Sequence, residues 1–172
     1  ANAFTNLGSV KGQFDNSSKW LAGLKASATY DGKLFGVPYY AGSRVITYRT
    51  DLFKKAGVKK PPTSLAQFQS ELGKIGKMEK HVKGFAPLYV GGEDWYTALS
   101  FVYDYGGAIA AKWHGKWVGT LESPQAVAGL AELKSIVRKY SKANVTGDEA
   151  HPQQALVFAK GTVGNFLGKG WE

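Results

Sequence analysis

The residues with which this sequence could do chemistry are three histidines, the adjacent acids Glu93 and Asp94, and several glycine-rich stretches. His81 stands in a lysine-rich connector, His114 in a glycine turn between two tryptophans, and His151 before a proline. None forms a pair at metal-ligand spacing, so surface and turn roles fit them and no metal site is expected. The chain has no cysteine, which removes thiol catalysis, Cys-ligated zinc and disulfide frameworks together. No Gly-x-Ser-x-Gly elbow supports a serine hydrolase. Gly164-Asn165-Phe166-Leu167-Gly168-Lys169 has neither the spacing nor the Lys-Ser/Thr ending of a phosphate loop. No cofactor is expected. Glu93 and Asp94 could be imagined as an acid/base pair. Neighbours at a helix start point in different directions, however, whereas glycoside hydrolysis needs two carboxyls facing across one bond. They complement the positive end of a helix instead.

The elements that would position such residues belong to an ordinary globular chain. Of its 172 residues, 44% are hydrophobic and 20% charged, enough for one well-buried domain. No apolar run approaches the roughly 20 residues of a membrane-spanning helix. The N-terminus has no basic-then-apolar leader, as expected of a mature or truncated chain. The net charge of +9 raises nucleic acid or an anionic membrane surface as a partner, but the lysines are spread thinly and only Arg44, Arg49 and Arg138 are arginines. Arginine is the residue of bidentate base and phosphate recognition, so a solvated lysine face is the expectation and no nucleic acid is expected. Five Trp and nine Tyr suit either a core or a ligand cleft, and most are expected in the core.

Along the chain, residues 12–29 have helix-like spacing and lead into an Asp31-Gly32 turn, after which Leu34 to Tyr40 reads as a strand with Pro38 at an edge or crossing. Val45–Tyr48 reads as a second strand. Thr50 is the expected cap of a short helix stopped by Gly57. Leu65, Phe68, Leu72 and Ile75 make one helical stripe. Phe85–Val90 reads as a strand, and Glu93-Asp94 opens a helix ending at Gly106-Gly107. A hairpin spans Ile109–Val118, where Trp113 and Trp117 are expected to cover the turn rather than meet a ligand. Ser123-Pro124 starts a helix with Val127, Leu130, Ile136, Val137 and Tyr140 as its apolar face. A helix from His151-Pro152 through Phe158 and a strand Thr162–Leu167 follow. The alternation gives the α/β class. A strand followed at once by Gly168-Lys169-Gly170-Trp171-Glu172 reads as a fragment's ending.

Tyr30-Asp31-Gly32-Lys33-Leu34-Phe35-Gly36-Val37-Pro38-Tyr39-Tyr40, followed by Tyr48-Arg49-Thr50-Asp51-Leu52-Phe53-Lys54-Lys55-Ala56-Gly57, resembles the family 1 extracellular solute-binding proteins, the group that includes maltose-binding protein. Pro61 to Phe68, Gly106-Gly107, Ser123-Pro124-Gln125-Ala126-Val127, and Phe158-Ala159-Lys160-Gly161 with Gly170-Trp171-Glu172 continue the resemblance in family order. It implies a type II periplasmic-binding-protein-like α/β fold, mainly the second lobe with part of the hinge and first lobe. Residues 1–40 would be the remnant of the first lobe and hinge crossing, and 41–172 the second lobe, truncated at its end.

The resemblance further implies the substrate-binding component of an ABC importer, which is not an enzyme. Such a receptor captures a sugar, with an oligosaccharide suggested by the supply of aromatics, and delivers it to the membrane permease subunits. Its location would be the extracellular face of the membrane, lipid-anchored, or the periplasm. Tyr39, Tyr40, Ser43 and Arg44 fall at the lobe crossing, where the family places sugar contacts. The acidic residue of maltose-binding protein is replaced here by Gly42, and Ser43 or Arg44 is the candidate substitute. Asp94, Trp95 and Tyr96 fall where the family presents an aromatic at a helix start. Trp171 matches a stacking tryptophan, with Glu172 beside it for sugar hydroxyls. A core role for Trp95 and a surface ion pair for Arg44 remain open at this point. So do two other functions: a glycoside-active enzyme with an aromatic cleft, and a basic nucleic-acid-binding module.

Overall fold

The computed structural model describes residues 3–172. Packing divides the chain into two compact units, one ending at Ser43 and the other spanning Arg44–Glu172.

The first unit is small and weakly regular. Two 3-10 turns, Gly8–Gln13 and Ser17–Lys19, precede a six-residue helix α1 (Ala22–Ser27). One continuous helix does not form over 12–29. Asn16 turns its side chain to accept a hydrogen bond from the Trp20 indole (3.0 Å); Asn and Ser favour such local side-chain bonding over helix, and Gly weakens helix through its backbone entropy. The strands β1 (Thr29–Tyr30) and β2 (Lys33–Leu34) flank the Asp31-Gly32 turn, where both turn residues have positive φ. Regular pairing then stops. The expected strand to Tyr40 is irregular from Phe35 onward, in a stretch where Gly36 lowers strand propensity and Pro38 has no amide to donate.

The second unit carries the core. β3 (Arg44–Tyr48) leads into α2 (Thr50–Lys55). The N-cap of α2 is Arg49 and not Thr50, and no side chain caps it; the Arg49 guanidinium instead makes two bonds to Asp51 (2.8 and 2.7 Å). α3 (Leu65–Met78) starts on a Ser64 cap that accepts from the Gln67 amide, and Phe68, Leu72 and Ile75 of its stripe are buried. Next come α4 (Trp95–Asp104), the hairpin β4 (Ala110–Trp113) and β5 (Lys116–Gly119), α5 (Pro124–Tyr140), α6 (Gln154–Ala159) and β6 (Asn165–Lys169).

Phe85–Val90 is extended but joins its neighbours only through single parallel bridges, at Ala86–Val163, Leu88–Ser141 and Tyr89–Phe166. Pro87 interrupts any continuous ladder. The last strand lies later than the sequence suggests, because the Gly164 amide is taken by the Ala86 carbonyl (3.0 Å). Phe68, Leu72, Leu88, Val90, Ile136 and Tyr140 form the main core cluster. The buried face of α5 runs through Ala126 and Gly129, leaving Val127 and Leu130 exposed. A Cβ at Gly129 would collide with the Phe101 carbonyl, so glycine is what lets α4 and α5 approach. That contact seats α4, which carries two of the candidate site residues.

Candidate functional site

β3 and β6 pair antiparallel across 116 residues of intervening chain, with Arg44 opposite Lys169. Two cations directly opposite on neighbouring strands repel one another. The structure resolves this with Glu149. One of its carboxylate oxygens bonds the Arg44 guanidinium and the other meets Lys169 Nζ at 2.9 Å. Asp94 Oδ1 lies 3.6 Å from the same guanidinium. Glu172 closes the far side: its Oε2 accepts from Gln154 Nε2 (3.0 Å) and the Lys169 amide (2.8 Å), and its Oε1 lies 3.6 Å from Lys169 Nζ. Arg44 Nη1 is buried without a hydrogen-bond partner among the described residues.

Burial works to raise the Glu149 carboxyl, but hydrogen bonds from Lys169 and Arg44 outweigh it and hold the group below its ordinary value. The hydrogen bond to Glu149 in turn lifts the Lys169 ammonium above its ordinary value. Both groups are therefore fixed in their charged forms near neutral pH. A general acid needs a proton it can give up there, which neither provides.

Against this ionic cluster lies a set of open aromatic faces. Trp95 and Tyr96, the first residues of α4, stack with ring centres 3.6 Å apart and planes 28° from parallel. They are 56% and 48% exposed. The Arg44 guanidinium sits over the Tyr96 ring at 5.0 Å, and Lys169 Nζ lies 5.9 Å from the centre of the Trp171 ring, which is 62% exposed. Trp95 is thus not a core residue. No described tryptophan is buried, and among the tyrosines only Tyr89 and Tyr140 are, so these aromatics do not mainly fill the core, contrary to expectation.

Asp94 caps α4, accepting from the Thr97 amide (3.1 Å) and hydroxyl (2.6 Å). Its side chain is 1% exposed, and both oxygens are engaged. That placement suits holding α4 and Arg44 in position more than meeting a ligand. Arg44 is in a partly buried ion-pair cluster and not a loose surface pair. Tyr39, Tyr40 and Ser43 belong to the first unit, where all three are exposed and the tyrosine rings pack edge to face at 5.6 Å.

Glu149, Lys169, Gln154 and Thr97 complete the cluster, and reading the sequence missed them. A helix-cap pattern three residues after Asp94 could have found Thr97. Nothing local marks Glu149, because its role exists only once β3 and β6 are paired.

A family profile described as bacterial extracellular solute-binding protein matches residues 2–172. The diacetylchitobiose binding protein DasA of Streptomyces coelicolor is 34% identical over 167 residues, covering 97% of this chain and 38% of that protein. Among solved structures, the GacH receptor of Streptomyces glaucescens, described unliganded and with acarbose, superposes with a TM-score of 0.76 at 24% identity, covering 99% of this chain and 42% of its own. The substrate-binding protein Lmo0181 of Listeria monocytogenes, in complex with cycloalternan, superposes at 0.73 with 21% identity and covers 99% and 43%. These likenesses establish the α/β fold of the type II periplasmic binding proteins, present here as part of a longer architecture. The chain spans less than half the length of the proteins it matches.

Proposed function

The chain belongs to the bacterial extracellular solute-binding protein family, and from that premise we propose that it is part of a receptor that captures an oligosaccharide and hands it intact to the permease subunits of an ABC importer. The observation that carries this reading is the exposure of Trp95, Tyr96 and Trp171 beside a closed network of ion pairs. Pyranose rings present apolar C–H faces that pack on flat aromatic rings, so rings held rigidly at the surface are suited to sugar. The ionic cluster supplies the rigidity: Asp94 holds the start of α4, while Arg44, Glu149, Lys169 and Glu172 fix the strand ends from which Trp171 projects.

In this reading residues 1–40 belong to a first lobe and hinge crossing and 41–172 to a second lobe. Tyr39, Tyr40 and Ser43 would add contacts at the crossing. Closure of the lobes on the ligand would create the form the permease recognises. The receptor would work outside the cell membrane, lipid-anchored or in the periplasm. The diacetylchitobiose-binding relative and the structural neighbour described in complex with acarbose favour an oligosaccharide. In this reading the receptor performs no chemistry: hydrogen bonds from Lys169 and Arg44 keep the Glu149 carboxyl ionised, so it is not the proton donor a glycosidase needs.

Thermal-shift titration of the full-length receptor with chito- and malto-oligosaccharides tests the proposal. The expected result is a rise in melting temperature with one sugar class, with the sugar recovered uncleaved and the shift reduced in Trp171→Ala. A flat response to every neutral sugar, or recovery of cleaved sugar, would overturn it.

A further inference from the structure

The β4–β5 hairpin does not cover itself with its tryptophans. Trp113 and Trp117 are each 70% exposed, and Ile109, Val118 and Leu121 beside them are exposed as well. Its turn, His114-Gly115, has both residues at positive φ (47° and 77°), the geometry of a tight two-residue loop that matches strand twist. Hydrogen bonds from Thr120 to the carbonyls of Ala108 (2.6 Å) and Ile109 (2.9 Å) fix its base. The ribbon is therefore ordered by its own backbone and does not depend on burying its aromatics.

The register sets Trp113 opposite Lys116 and Lys112 opposite Trp117. Opposed residues share a face and successive ones alternate, so each face of the ribbon carries one indole and one lysine. On one face the Lys112 ammonium lies 5.6 Å from the Trp117 ring centre. From Tyr105 to Leu121 the sequence contains no acid, and neither lysine enters an ion pair among the described residues.

Indoles on opposite faces cannot stack on one sugar ring, and a groove that grips one face leaves the other wet. A fluid layer that surrounds the tip covers both. Tryptophan partitions to the boundary between lipid headgroups and acyl chains, and unpaired lysines are drawn to anionic headgroups. We propose that the tip of the β4–β5 hairpin inserts into the interfacial layer of an anionic phospholipid bilayer. Such a contact is reversible, since two aromatics and two lysines make a weak anchor. The proposal is independent of the sugar reading.

Co-sedimentation of the chain with vesicles of equal parts phosphatidylcholine and phosphatidylglycerol at low salt tests it. Binding to the anionic vesicles is expected, with little to phosphatidylcholine alone. Trp113→Ala/Trp117→Ala should weaken it about tenfold or more, a difference of one decade in partition. Lys112→Glu/Lys116→Glu should weaken it and flatten its salt dependence. Trp113→Tyr/Trp117→Tyr should keep binding, because Tyr shares the interfacial preference, while losing quenching of Trp emission by brominated lipid. Wild-type protein left in the supernatant, an alanine variant that sediments like wild type, or capture by soluble polyphosphate but not by vesicles would each overturn the proposal.

Discussion

Two groups of exposed tryptophans occupy this molecule and differ in what holds them. Trp95 and Trp171 stand on elements locked together by contacts distant in sequence: α4 is seated on α5 at Gly129, and the β3–β6 strand ends are tied by Glu149. Trp113 and Trp117 stand on a ribbon closed by a two-residue turn, with no buried residue in either strand. The residue type is the same, but the support differs. Rings placed to within fractions of an ångström can select a ligand of fixed shape, because selectivity depends on geometry held before the ligand arrives. Rings on a free-standing ribbon suit a partner without fixed shape.

If the support differs as described, the largest effect should come from Glu149. Glu149→Ala would leave Arg44 and Lys169 facing each other without their shared counter-ion, and breaking a largely buried pair costs about 2–3 kcal/mol at this partial exposure. Urea denaturation of the chain checks this; a loss under about 0.5 kcal/mol would mean that the cluster does not brace the site.

Next in size are the ring deletions. Trp171→Ala and Trp95→Ala should each lower oligosaccharide affinity of the full-length receptor roughly tenfold or more, equivalent to about 1.4 kcal/mol, with stability almost unchanged. Isothermal calorimetry paired with a melting curve separates the two effects.

The pH response is smaller. Glu149 has its folded-state pKa below the ordinary 4.5, so its contribution is fully present above that value and is lost as pH falls through the depressed one. Lys169 is raised above the ordinary 10.5, so its contribution holds below that value and is lost as pH rises through the elevated one. Stability of the wild type should therefore decline at both ends, and Glu149→Gln should flatten both declines. Equal slopes for wild type and variant would contradict the assigned coupling.

The smallest effect should be on the ribbon. Trp113→Ala/Trp117→Ala is expected to change folding stability by less than about 0.5 kcal/mol, as exposed substitutions do. A melting temperature lowered as far as in Glu149→Ala would show that the hairpin indoles pack on something after all.

What could be read in the sequence was local. The Ser123-Pro124 helix start and the His114-Gly115 turn are fixed by residues within a few positions, and the structure has them where the residues indicate. Glu93-Asp94 marks the α4 start locally, whereas Trp95 and Tyr96 are singled out by the family resemblance. Glu149 could not be singled out, since its meaning depends on β3 meeting β6, a pairing that no short-range pattern encodes. Strand extent failed for a related cause: Pro87 and Gly164 sit in apolar runs that look like strands, yet their backbone groups pair singly with distant partners. The Trp113/Trp117 hairpin was legible as a hairpin but not as an uncovered one, because exposure depends on whether the rest of the chain packs over it.

Oligosaccharide affinity of the full-length receptor, compared between Trp171→Ala and Trp113→Ala by the same calorimetric titration, puts the division between the two tryptophan groups to its most direct test. Affinity should fall about tenfold or more in Trp171→Ala and stay at the wild-type value in Trp113→Ala. Unchanged binding in Trp171→Ala, or a loss confined to Trp113→Ala, would contradict it.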